Sequence, residues 1–130
     1  MKRIAILISI FLLCSVNTYA KEKEKLVRMN FNSGSEFYRT ADYQHREGSI
    51  YSISVEERYT EKSRTRISGA AYTRTKYLID CKKTLYRVSL KMHVNPQGQF
   101  MGGGSTPHFR FTTIHPGTIE DSLYRFICLS

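Results

Sequence analysis

The side chains in this 130-residue chain that could do chemistry are three cysteines, four histidines, one run of glycines and a mid-chain band of arginine and lysine. His45, His93, His108 and His115 make no metal-ligand spacing with one another, with an acid or with a cysteine. A nuclease using a histidine pair for acid–base work would need two of them to converge on one substrate, and no motif brings them together. Gly102-Gly103-Gly104 is not followed by Lys and Ser or Thr, so it is no phosphate loop. Asp80, beside Cys81, reads as a structural hydrogen-bond acceptor. The pattern therefore predicts a protein that is not an enzyme, with no catalytic residue, no metal and no cofactor.

The cysteines are informative once the start of the chain is read. Met1-Lys2-Arg3 is a short positive region, and Ile4 to Val16 is apolar and uncharged. Thr18 and Ala20 put small residues at the two positions a signal peptidase reads. Together these are the three parts of a bacterial secretory signal over residues 1–20. The apolar run is shorter than the about 20 residues that cross a bilayer, although an uncut N-terminal anchor is the competing interpretation. Leu12 and Leu13 precede Cys14, where a lipoprotein signal would place a small residue, so export without lipid is expected. The destinations open to it are periplasm, cell surface and medium.

Cleavage would leave residues 21–130 as one domain with two cysteines, Cys81 and Cys128. An even pair in an oxidising compartment predicts one intramolecular bridge, against the alternative of free or intermolecular thiols. The domain is basic. The whole chain carries +9, and losing Lys2 and Arg3 with the leader brings this to +7. Outside the cytoplasm such a charge suits an anionic macromolecule or an acidic protein rather than nucleic acid, or simply keeps the domain soluble. No later stretch is long and apolar enough to anchor it in a membrane.

The elements that must position these residues are mostly strands. Lys21 to Lys25 is a charge run read as a frayed terminus. Leu26–Phe31 and Glu36–Asp42 read as short extended pieces around the turn residues Asn32 to Ser35. Arg46-Glu47-Gly48 reads as the next turn. Tyr51, Ile53 and Val55 alternate with Ser52, Ser54 and Glu56, the period of a half-buried antiparallel strand. Glu57–Ser68 reads as a loop or a charged strand edge. Tyr72–Cys81 is extended, and Tyr86, Val88, Leu90, Met92 and Val94 alternate with polar residues behind Lys82-Lys83-Thr84, which predicts a hairpin. Asn95 to Gly98 closes it, Gly102 to Ser105 reads as a flexible loop, and Phe109–Ile114 as a short extended piece. After Pro116-Gly117 the period changes. Thr118 is placed as an N-cap with Asp121 as its capping-box partner, and Ile119, Leu123, Phe126 and Ile127 recur at helical spacing. The fold expected is α+β: an antiparallel sheet with a C-terminal helix that a Cys81–Cys128 bridge would pin to it.

The order of features in the second half carries a resemblance. Tyr77-Leu78-Ile79-Asp80-Cys81-Lys82, then Tyr86-Arg87, Pro116-Gly117-Thr118, Ser122-Leu123 and the terminal Cys128 resemble the surface-adhesin protein E family of exported bacterial proteins. Phe37 to Asp42 and Arg46-Glu47-Gly48 are similar to that family's first half. The resemblance spans nearly all of residues 21–130 and implies the same sheet, helix and bridge. It also implies binding of host matrix proteins such as vitronectin and laminin, the property of the lipidated member that names the family.

With nine tyrosines and seven phenylalanines the chain is rich in groups that serve either core or contact surface, and Tyr77 and Tyr86 are assigned to the core. Arg58, Lys62, Arg64, Arg66, Arg74 and Lys76 form the candidate binding surface, which could equally be a solvated loop and strand edge. The expected function is non-enzymatic binding of a protein or anionic macromolecule outside the cytoplasm. The competing function is that of a periplasmic accessory or inhibitor protein acting on a bacterial partner. An exposed sheet edge or tyrosine face could also support a homodimer.

Overall fold

The computed structural model describes residues 24–31, 33–63, 67–101 and 110–130. The expected leader over residues 1–20, the first three residues of the Lys21–Lys25 run, Arg64 and Arg66, the stretch 102–105 and Phe109 lie outside them.

Seven strands form one antiparallel sheet: β1 Leu26–Met29, β2 Glu36–Thr40, β3 Gln44–Glu47, β4 Ile50–Arg58, β5 Tyr72–Asp80, β6 Leu85–Val94 and β7 Thr112–Thr113. The order across the sheet is β1-β2-β4-β5-β6-β7, with β3 also paired to β4. One helix, α1 Ile119–Cys128, follows. Each tight connection has its local cause. The β3–β4 hairpin turns on Gly48 and Ser49, and Gly48 supplies the left-handed backbone (φ 55°) that two-residue hairpin turns favour in glycine. Gly34 also has positive φ (82°), and a Cβ there would collide with the carbonyl oxygen of Lys62. That close approach lets the 33–35 and 60–63 turns dock, through Ser35 Oγ to Ser63 Oγ at 2.7 Å and Thr60 Oγ1 to the Gly34 carbonyl.

Two expectations shift. Arg46 and Glu47 lie in the strand Gln44–Glu47 rather than in the expected Arg46-Glu47-Gly48 turn, because Glu47 pairs with Ile50 and the turn narrows to Gly48 and Ser49. In β6 the alternation does not run unbroken. Lys76 faces Leu90 but Tyr77 faces Val88, so Ser89 is an extra residue, and its hydroxyl donates to the Lys76 carbonyl at 3.3 Å. A bulge of this kind transfers the residues beyond it to the other face. Tyr86 and Val88 pack on the core, while Leu90 is 39% exposed.

The core lies between one sheet face and α1. Met29, Phe37, Ile53, Val55, Tyr77 and Ile79 come from the sheet, and Ile114, Leu123 and Ile127 from the C-terminal segment. Tyr77 and Tyr86 belong to it, as the sequence predicts. Thr118 Oγ1 accepts the Asp121 N–H at 3.2 Å, and Asp121 Oδ2 accepts the Gly117 N–H at 3.1 Å, so the reciprocal cap reaches one residue before Thr118. At the other end Cys128 bonds to Cys81 across 47 residues, with their Cα atoms 5.5 Å apart, and ties the helix to the sheet. Among the described residues no helix is long and apolar enough to cross a membrane.

Candidate functional site

Side chains that face each other across an antiparallel pair share a sheet face, so the register sorts every strand residue. Ile53 opposite Tyr77 and Tyr51 opposite Ile79 lie on the helix side. Arg58 opposite Tyr72, Glu56 opposite Arg74 and Ser54 opposite Lys76 lie on the other side. Three of the six residues selected from the sequence, Arg58, Arg74 and Lys76, are therefore brought onto one face. Over that face no described helix or strand packs. Lys62 sits exposed in the turn after β4, and Arg64 and Arg66 are outside the described residues.

The face is more balanced in charge than the sequence implied. Arg58 donates to Glu56 at 2.7 Å and lies over the Tyr38 ring at 4.0 Å. Its hydrogen bond to Glu56 raises the guanidinium pKa further above the usual arginine range. Arg74 pairs with Glu24, and Arg28 on β1 approaches Glu36 at 4.0 Å. Lys76 makes no ion pair among the described residues. The Arg28–Glu36 pair is exposed and contributes little to stability, whereas the Glu56 carboxylate is buried beneath Arg58. The resulting surface is a basic-aromatic strip, with Tyr38 and Tyr72 between cations.

Arg28, Tyr38 and the three glutamates were not selected from the sequence. Arg28, Tyr38 and Glu36 belong to this face through the β1–β2–β4 register, which no local pattern discloses, Glu24 joins through its pairing with Arg74, and Glu56 lies on the polar side of the alternation already legible in β4.

The other titratable groups have structural work. Asp80 Oδ1 accepts from Ser49 Oγ at 2.6 Å and from the N–H groups of Lys82 and Lys83, each at 3.1 Å. The Ser49 hydrogen bond is the main reason its pKa is held below the usual carboxylate value. Arg39 projects to the helix side, with its guanidinium 3.5 Å from the centre of the Phe126 ring, and burial lowers its pKa. Tyr59, Thr73 and His93 form a hydrogen-bonded chain of 2.6 and 2.7 Å around a fully buried threonine. Burial raises the Tyr59 pKa. Among the described residues no three His, Cys, Asp or Glu side chains gather as a metal site.

Compared with models of protein families, with curated proteins and with solved structures, the chain matches none of them.

Proposed function

We propose that this chain is an exported, non-enzymatic binding protein that contacts a macromolecule outside the cytoplasm through the sheet face opposite the helix. The observation that carries this reading is that Arg28, Arg58, Arg74, Lys76, Tyr38 and Tyr72 share a face over which no described element packs. Tyrosine and arginine are the side chains that most often anchor protein contacts, because each combines a broad apolar body with a polar end. The disulfide-tied helix packs on the opposite side, so among the described residues no helix or strand covers this face. The partner class follows the resemblance to protein E adhesins: an extracellular matrix protein.

The test is binding of the domain from Lys21 to immobilised vitronectin and laminin. The comparison is with Arg58→Gln, which keeps a donor toward Glu56, combined with Lys62→Glu. Binding should weaken at least tenfold in this variant, with thermal melting preserved, and should weaken as salt rises from about 0.05 to 0.5 M, because exposed charges are screened. Binding indifferent to both changes overturns the reading of the face. The leader's lack of a lipid-acceptor signal favours the second reading, an accessory or inhibitor protein retained in the periplasm. Fractionation decides between them: a purely periplasmic pool removes the adhesin reading.

A further inference from the structure

The sheet contains a built discontinuity. β2 and β3 pair along the same edge of β4, β2 with Val55–Arg58 and β3 with Ile50–Ser52. Between them the chain leaves the ladder at Ala41-Asp42-Tyr43, opposite Ile53 and Ser54. Side chains and backbone hold the break in place. Thr40 Oγ1 accepts the Ser54 N–H at 3.4 Å and donates to the Asp42 carbonyl at 3.0 Å, while Ala41 N–H donates to the Lys25 carbonyl at 2.9 Å. On the face away from the helix the break opens into a bay of about 580 Å³. That is within the size range of small-molecule sites, roughly 300–1,000 Å³.

The lining selects a chemistry. Arg46 uses its Nε to donate to Ser52 Oγ at 2.9 Å, which leaves its two terminal nitrogens as a fork. Lys25 and Lys76 add positive charge, so a cation is disfavoured. Asp42 and Glu24 also line the bay, so a bare polyanion is disfavoured too. Among the described residues the apolar lining is Ala41 and Ile53 and no aromatic ring lines the bay, so an apolar ligand has little to bury against. Gln44 and Ser54 supply amide and hydroxyl groups that both donate and accept, while the Thr40 hydroxyl, its proton held by the Asp42 carbonyl, can only accept. The ligand that satisfies all of these carries one carboxylate and several hydroxyls.

We propose that this bay binds an acidic sugar of the uronate type. The carboxylate takes the Arg46 fork, the bidentate geometry for which guanidinium is suited. Ring hydroxyls donate to Asp42 and exchange hydrogen bonds with Ser54 and Gln44. The bay shares Lys76 and the sheet face with the macromolecular contact proposed above, but the Arg58→Gln, Lys62→Glu variant changes no bay residue and Arg46 is not among the contact residues. Either proposal can fail alone.

The experiment is a titration of the ¹⁵N-labelled domain from Lys21 with glucuronate, glucose, acetate and inorganic sulfate, read by amide shifts. Glucuronate should bind with a Kd near the millimolar range, as expected for a small ligand without stacking, and move the amides of Thr40–Gln44, Ser52–Ser54 and Lys76. Glucose, acetate and sulfate should each bind at least tenfold more weakly. Arg46→Gln should lower glucuronate affinity at least tenfold while its spectrum shows the wild-type fold, and Ser54→Ala should lower it severalfold in the same fold. The proposal is overturned if glucose, acetate or sulfate binds as well as glucuronate, if the shifts lie elsewhere, or if Arg46→Gln titrates like wild type.

Discussion

Removing the Cys81–Cys128 bridge should lower stability without releasing the helix. The bond closes a loop across a sequence separation of 47 residues, and in the chain-entropy model a loop of that length contributes about 4 kcal/mol. For a domain of this size that corresponds to a fall in Tm of about 15–20 °C on reduction or in a Cys81→Ala, Cys128→Ala variant. The helix has other attachments. Leu123 is fully buried and Ile127 is 6% exposed, and side chains so placed contribute about 2 kcal/mol each. Arg39 over Phe126, and the edge of Tyr43 against the same ring at 5.5 Å, add a contact at the helix's outer face. Thermal melts with and without reductant check the first part, and hydrogen exchange of the α1 amides checks the second. The amides should stay protected, but only up to the lowered global stability. Melting curves that agree within roughly 3 °C would refute the entropic argument. Free exchange of α1 with an intact sheet would show instead that packing does not hold the helix.

Two further predictions concern buried titratable groups. Asp80→Ala should cost about 2–3 kcal/mol, the worth of hydrogen bonds to a charged acceptor, whereas Asp80→Asn should retain most of the stability. Because the folded pKa is depressed, the charge stabilises above the ordinary carboxylate value and is lost as pH falls through the folded pKa. A wild-type acid melt should therefore steepen below about pH 4, and Asp80→Asn should flatten it; parallel curves would sink the assignment. Tyr77 and Tyr86 behave in the opposite sense. Burial first, then the nearby Glu120, raises both phenols above the usual tyrosine value. The unfolded chain ionises first, so stability is complete below about pH 10 and falls above it. Tyr77→Phe should reduce that alkaline slope, measured by denaturant melts from pH 9 to 11, and an unchanged slope would contradict it.

The sequence alone determined the features that depend on local periodicity and on counting. Alternation at Tyr51–Val55 and Tyr77–Cys81, the helical spacing of Ile119, Leu123 and Ile127, and the Thr118 cap each concern neighbours along the chain, so each was legible. The bridge also was, because Cys81 and Cys128 are the one pair left if residues 1–20 are read as a leader. Three features needed the fold. The Ser89 bulge is invisible to alternation, because the polar and apolar residues continue in period while the backbone adds a residue. The membership of the candidate face depends on register: Arg58, Arg74 and Lys76 could be selected by composition and Glu56 follows from the alternation in β4, but Arg28, Tyr38 and the balancing Glu24 and Glu36 join them only across strands. The bay arises where two strands share one edge of β4, a contact between segments that no single stretch encodes. Hydrogen-bond ladders and side-chain charges act through space, and only the tertiary structure sets which of them meet.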